Sequence, residues 1–508
     1  VEEMAIASGL PLPEIFVLNQ EPGINAFAAG FGPDDAAIAV TRGALERLDR
    51  DELQGVVAHE FGHILNHDMR LNTALLGWLH GIFLVKLAGR IAMPRHRSSA
   101  FGRHGRTSFP LTVLGIGLLA VGSIGAFFGR LIQAAVSRQR ERLADASAVQ
   151  LTRHPDSLAS ALFKIGSEFG NAPLTLPQHD ELAHLLFASP GGWWATHPSI
   201  EERIHAIRPG FEASHVSQAD GSDEPPREKL ARMTRPSAES VPLSPAGLLA
   251  AVGAPTIDHL AAAQDLIDSF SDELTEACHS PTQCAGVILA TLLSHDSNTF
   301  TKQLVQVRRS LGRAGLEGVE KRLPEIRGLG RNARLPLIQI CASTLRQALP
   351  DEQLGVRDLV RRMTEVDAEV DVFEYAAVQL LERAATPTRP DDPEASLVSL
   401  QSPALTVLSA LAEMGHGDPF ECRAAYAQAM GALGLDSQRE PLARHAWTRA
   451  LGPALNQLGA LRPTEKARLL EAAAETVIHD GRVTLHEGEL LRALAAALGC
   501  PVPDLSCR

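Results

Sequence analysis

The stretch VVAHEFGHILNHD, residues 56–68, decides how the chain is read. Within it His59 and His63 stand four residues apart. On an α-helix, positions i and i+4 share one face, so two imidazoles so placed can grip one divalent ion. Glu60 lies beside them, where a carboxylate can take a proton from water held at that ion. Leu53, Val56, Val57 and Ile64 give the segment an apolar stripe at helical spacing. Asp51, with Gln54 three residues on, is read as a capping box that starts the helix.

A catalytic zinc site needs three protein ligands and an open position. Downstream, Glu141-Arg142-Leu143-Ala144-Asp145 sets two carboxylates at i and i+4 on a second helix. Glu141 can complete a His2Glu set. Asp145 can accept a hydrogen bond from a ligand histidine and fix its tautomer. Most of the chain between the two motifs is apolar. Thr107–Gly129 holds 23 residues without a charge, and roughly 20 helical residues cross a bilayer core. Leu71–Met93 is apolar too, though Lys86 and Arg90 interrupt it. With the basic connector Pro94–Arg106 between them, these segments form a membrane hairpin over about 71–136 that returns the chain to its starting side.

Upstream, Glu14–Asn19 and Ala36–Thr41 are short strand candidates flanking Ile24–Phe31. The opening residues read as the tail of a helix, and further membrane segments are expected before Val1. No signal peptide is visible. Residues 209–250 form a polar linker, rich in Pro, Gly and Ser. Beyond it come two helical regions, 251–385 and 397–508, separated by the break Thr386–Ser396. The fold class is therefore mainly α: a small α+β catalytic domain over 1–208 with a membrane hairpin, then an all-helical C-terminal region. Near the end, Asp480-Gly481 makes a turn, Thr484 and Glu487 form a capping box, and Gly499 closes the last helix.

Composition narrows the class. A net charge of −13 and 5% aromatics argue against a nucleic-acid partner. Six cysteines form no CxxC pair, so neither a disulfide framework nor a thiolate zinc site is indicated.

Four stretches together resemble the HtpX-like integral-membrane zinc metallopeptidases, relatives of the CAAX prenyl-protein endopeptidases. They are Asn25-Ala26-Phe27-Ala28, Val56–Asp68, SRQRERLAD (137–145) and THPSIEERI (196–204), and they cover about residues 1–208. The resemblance implies one Zn2+ per chain on His59, His63 and Glu141, with Glu60 as catalytic base. It also implies a cell (inner) membrane location with the site on the cytoplasmic face, protein or peptide substrates, and a role in membrane-protein quality control. The strand Asn25–Ala28 is expected to offer an open edge to an extended substrate. His197 reads either as an oxyanion donor or as a helix-start residue before Pro198. The C-terminal helices resemble, more weakly, a TerB-like module, expected to bind a protein partner or regulate access. Two rivals remain at this level: a membrane-anchored helical scaffold with a structural zinc site, and a soluble aminopeptidase.

Overall fold

The computed structural model describes residues 1–92, 108–168, 198–211, 257–366, 372–385, 395–436, 438–480 and 483–500. His197, the connector 94–106, most of the linker and most of the break at 386–396 lie outside them. The chain is mainly α with one small sheet, as expected. Its contacts group into two compact units, Ile15–Asp220 and Val1–Glu14 with Gly221–Arg508.

The first helix, α1 (Glu2–Ser8), belongs to the second of these and ends on Gly9 at φ 71°, a left-handed cap that suits glycine. The sheet of the unit Ile15–Asp220 has the order β1 (Glu14–Leu18), β3 (Ala37–Thr41), β2 (Ala26–Ala29). β2 runs antiparallel to β3, Ala26 opposite Val40 and Ala28 opposite Ile38, and forms an edge of the sheet. Thr41 fixes this corner. Its hydroxyl accepts from the Asn25 and Ala44 backbone N–H groups and donates to the Gly23 carbonyl. It thereby anchors the start of β2 and caps α2 (Arg42–Arg47) at once.

Helix α3 (Arg50–Leu65) carries the His59/His63 pair. Its cap is Asp49 with Glu52, two residues earlier than the Asp51–Gln54 pair read from the sequence. The register is decided by tertiary contacts. The buried Glu52 carboxylate also accepts from Ser160 Oγ at 2.6 Å and Lys164 Nζ at 2.6 Å, both on α6 (Pro155–Glu168). Helix α3 is packed against β2, α6 and the next long helix.

The hairpin is present. Helix α4 (Asp68–Ala92) runs back along α5 (Ser108–Thr152). A Cβ built on Gly89 would lie 2.6 Å from the Leu119 amide nitrogen, and one on Gly122 only 2.7 Å from that of Lys86. The two helices are antiparallel and touch backbone to backbone, the close approach that small residues permit in an apolar medium. The uncharged run ends at Gly129, and charged residues follow from Arg130. The helix does not end there: α5 spans 45 residues in all, about 68 Å at the usual rise. A change in composition is not a change in backbone, and no proline interrupts it there. Among the described residues one helix, Val113–Thr152, is long and apolar enough to cross a membrane, and only 18% of its most apolar stretch is buried. Helix α7 (Ile200–Ile207), capped by Ser199, packs on α5 and α6.

In the other unit, α1 lies against the helices Ile257–Asp268 and Arg334–Leu345. Further along, Gln401–Gly415 is the central helix, surrounded by Pro419–Ala432, Arg444–Leu458, Pro463–Ile478 and Leu485–Leu498. The apolar faces read near the C-terminus are core: Leu469, Val477, Leu490, Leu491, Leu494 and Leu498 are all buried. The Thr484–Glu487 box and the Gly499 cap form as expected. Glu487 accepts from both the backbone and the hydroxyl of Thr484, so its carboxylate serves the cap.

Candidate metal centre

Three elements deliver the site. Helix α3 brings His59, Glu60 and His63 on consecutive turns, and α5 crosses it with Glu141 and Asp145. Gly62 makes that crossing possible: a Cβ there would meet Ala144 Cα at 3.1 Å and the Ala144 carbonyl at 3.2 Å. Any larger residue would require α5, which carries Glu141, to give way by a few tenths of an ångström.

The ligand atoms of His59, His63 and Glu141 lie within 4.8 Å of one another. The two Nε2 atoms are 3.2 Å apart. Glu141 Oε2 stands 3.5 Å from His59 Nε2, and Oε1 stands 3.6 Å from His63 Nε2. Bonds of ~2.0–2.1 Å in a tetrahedral site place neighbouring ligand atoms roughly 3.3 Å apart. The spacing observed therefore suits a zinc-sized ion.

Each imidazole is turned by a carboxylate behind it. His59 Nδ1 is 2.9 Å from Asp145 Oδ1, and His63 Nδ1 is 2.8 Å from Asp68 Oδ2. Donation from both Nδ1–H groups to these carboxylates would leave the two Nε2 atoms on the Glu141 side as ligand atoms, the tautomer a metal requires. Two lone pairs so close call for a positive charge between them. Burial alone would push the His59 imidazole down, but Asp145 and Glu141 outweigh it and hold it at about 9. Asp68 is in turn held by Arg140, whose Nε is 3.4 Å from Oδ1. Asn66 pins the end of α3 through the Gly62 carbonyl at 2.7 Å, and His67 is exposed, at φ 54° in the tight turn into α4.

Glu60 is 2% exposed. Burial raises its carboxyl above the ordinary range; the two histidines and a hydrogen bond from the Ala28 backbone oppose that shift. The Ala28 bond joins Glu60 to the edge strand β2. Only His63 reaches the surface, at 18% side-chain exposure against 0% for His59, so access is from its side.

Arg203, on α7, was not singled out from the sequence. It is 2% exposed and donates to Asp145 from Nε at 2.9 Å and from Nη2 at 2.7 Å, with Nη1 3.3 Å from Glu141 Oε2. Asp145 and Glu141 outweigh the effect of burial and hold its guanidinium charged. Glu60, Glu141 and Asp145 share one buried site, and that excess of negative charge was the available signal that a cation must join them. Arg140 also donates from Nη1 to the Asp68 carbonyl at 2.9 Å.

Comparison with known proteins agrees with this geometry. The profile of peptidase family M48 matches residues 1–209. The chain is 39% identical over 217 residues to a protease HtpX homolog of Tropheryma whipplei, covering 41% of this chain and 70% of the relative. A protease HtpX homolog of Dictyoglomus thermophilum is 39% identical over 212 residues, 41% of this chain and 67% of the relative. One from Streptococcus equi subsp. zooepidemicus is 35% identical over 215 residues, 41% and 71%. No solved structure matches. The residues that converge at His59, His63 and Glu141 all fall inside the matched span, and the chain belongs to peptidase family M48, among the HtpX-like metallopeptidases its motifs resemble.

Proposed function

We propose that the chain is a zinc-dependent endopeptidase of the membrane, with His59, His63 and Glu141 as the metal ligands and Glu60 as general base. The observation that carries this reading is the meeting of two helices, α3 and α5, at one His2Glu cluster with a second carboxylate, Glu60, buried beside it. The chemistry zinc supplies in such a site is Lewis acidity toward a carbonyl and toward water. Glu60 takes the proton of the attacking water and passes it to the leaving amine. Asp145 and Asp68 keep both imidazoles in the metal-binding tautomer. The edge of β2 at Asn25–Ala28 aligns an extended peptide by adding it as a strand, and His197 stabilises the oxyanion.

The bilayer placement is supported by the outward faces of the hairpin. Trp78, Leu84 and Ile91 on α4 are 77%, 63% and 75% exposed, and Val121 and Ile124 on α5 are 66% and 59% exposed. Large side chains in that number belong in lipid rather than water. The inner membrane, the cytoplasmic side and a quality-control role rest on the family resemblance. The helical unit then serves as a partner-binding or access-regulating appendage.

Glu60→Gln is the test. It keeps shape and leaves the ligands in place, so metal content stays at one ion per chain while peptide hydrolysis falls by about 10²–10⁴. Hydrolysis at the unaltered rate in the same chelator-sensitive preparation would remove Glu60 from the role. Metal retention with no hydrolysis of any peptide by the unaltered chain would favour the scaffold with a structural zinc.

A further inference from the structure

The helix that carries Glu141 also carries the apolar span. α5 runs unbroken from Ser108 to Thr152, so both are parts of one rod. The level of the bilayer edge along that rod is marked twice. On α5 the uncharged run ends at Gly129, and Arg130 follows. On α4, Trp78 is 77% exposed. Its neighbour Leu79 lies level with Gly129, where a Cβ would meet Leu79 Cδ2 at 2.6 Å. An outward tryptophan and a cation at one level mark the boundary between hydrocarbon and headgroups.

From Gly129 to Glu141 is twelve residues, about 18 Å at the helical rise. From Trp78 back to Asp68, whose carboxylate holds His63 Nδ1 at 2.8 Å, is ten residues, about 15 Å. The two helices agree on the height. The stretches between, Leu71–Gly77 and Leu131–Ser137, carry no charge but include Asn72, Thr73, Gln133 and Ser137. That mixture suits the headgroup layer, about 5–7 Å deep on each side. Charges begin beyond it, with Asp68 and Arg70 on α4 and from Arg138 on α5. Arg140 ties the feet of the two helices together. Its Nε is 3.4 Å from Asp68 Oδ1 and its Nη1 donates to the Asp68 carbonyl. The height of the metal-binding face above the bilayer is therefore built into the fold.

We propose that this height sorts substrates: the chain cuts membrane-anchored polypeptides at bonds about five residues or more beyond the edge of their own spanning segment and spares bonds closer in. An extended chain advances about 3.3 Å per residue, so about five residues are needed to climb 15–18 Å. A nearer bond reaches the site only by drawing apolar residues out of the lipid into water. Bonds much farther out reach it too, but the advantage of a shared membrane fades as the intervening chain lengthens. The inference rests on the peptidase and bilayer readings and adds the rule by which that site selects a bond.

The test uses the full zinc-loaded chain in phosphatidylcholine nanodiscs and one probe in two forms. The first is an unstructured tail of mixed sequence joined to a single polyleucine span in the same nanodisc; the second is the same tail as a free peptide. Cut bonds are mapped by mass spectrometry. Bonds within about three residues of the span should be cut at least about tenfold more slowly than in the free peptide, and bonds about six to ten residues out as fast or faster. A Gly/Ser spacer of about ten residues between span and tail should bring the spared bonds back into use. Equal relative rates along the tail in both forms overturn the proposal and leave the peptidase reading intact. Hydrolysis of neither form, with Glu60→Gln as the blank, overturns the peptidase reading and this inference with it. A second readout needs no hydrolysis. The tryptophan emission lost in Trp78→Phe should be quenched more by lipids brominated near the headgroup end of their chains than by lipids brominated near the chain terminus. Stronger quenching from the chain terminus places Trp78 deep in the bilayer and overturns the height.

Discussion

Arg203 holds Asp145 with two nitrogens, Nε on Oδ2 at 2.9 Å and Nη2 on Oδ1 at 2.7 Å, and Asp145 Oδ1 in turn faces His59 Nδ1 at 2.9 Å. The third helix of the site therefore acts on the metal-binding face through a carboxylate. Removing the guanidinium strands Asp145 and Glu141 as buried anions. Deleting one partner of such a pair costs about 3–5 kcal/mol. Arg203→Met should lower the unfolding midpoint of metal-free protein accordingly, and added zinc should restore more of the midpoint than it does in the unaltered chain. Arg203→Lys, which keeps the charge and loses the fork, should fall between the two. A metal-free midpoint unmoved by Arg203→Met would contradict this account.

Asp68 performs for His63 what Asp145 performs for His59, without an arginine bridging to Glu141. Asp68→Asn keeps size but no longer demands the Nδ1–H tautomer. Zinc affinity, measured by competition with a chelator, should drop about 10–100-fold. Unchanged affinity would mean that the tautomer is set elsewhere.

Gly62 and Gly55 lie on the same helix and face different neighbours. A Cβ on Gly62 meets the backbone of Ala144 at 3.1 Å, whereas one on Gly55 meets Leu158 at 3.3 Å, away from the ligands. Both substitutions to Ala should cost about 1–3 kcal/mol by overpacking. Only Gly62→Ala should also weaken zinc binding, because it displaces the helix that carries Glu141. Equal zinc affinity in the two variants would show that α5 yields without moving its carboxylate.

What could be read beforehand follows from how local each signal is. His59 and His63 are four residues apart on one helix, so their convergence is written in the spacing. Glu141 was legible only as part of a motif, since nothing local says that α5 crosses α3 at Gly62. The start of α3 was misplaced because Asp49-Arg50-Asp51-Glu52 and Asp51-Glu52-Leu53-Gln54 offer the same local cap, and the contacts of Glu52 with Ser160 and Lys164 choose between them. Arg203 sits in Glu201-Glu202-Arg203, which reads as a solvated face; its burial depends on α7 docking against α5.

His279 donates from Nε2 to the Glu2 carboxylate, and its Nδ1 meets the Thr275 carbonyl at 2.6 Å. The bond to Glu2, opposed by partial burial, raises the His279 imidazole from its ordinary 6.5 to about 9. A folded-state value above the unfolded one means that the stabilising contribution is complete below pH 6.5 and is lost as pH rises through about 9. The group is half exposed, so solvent reduces the effect. Thermal stability of the unaltered chain should therefore exceed that of Glu2→Gln by a margin that is constant in mild acid and shrinks between pH 6.5 and 9. A margin that stays flat or widens over that interval would show that the charged imidazole does not hold α1 to the helical unit.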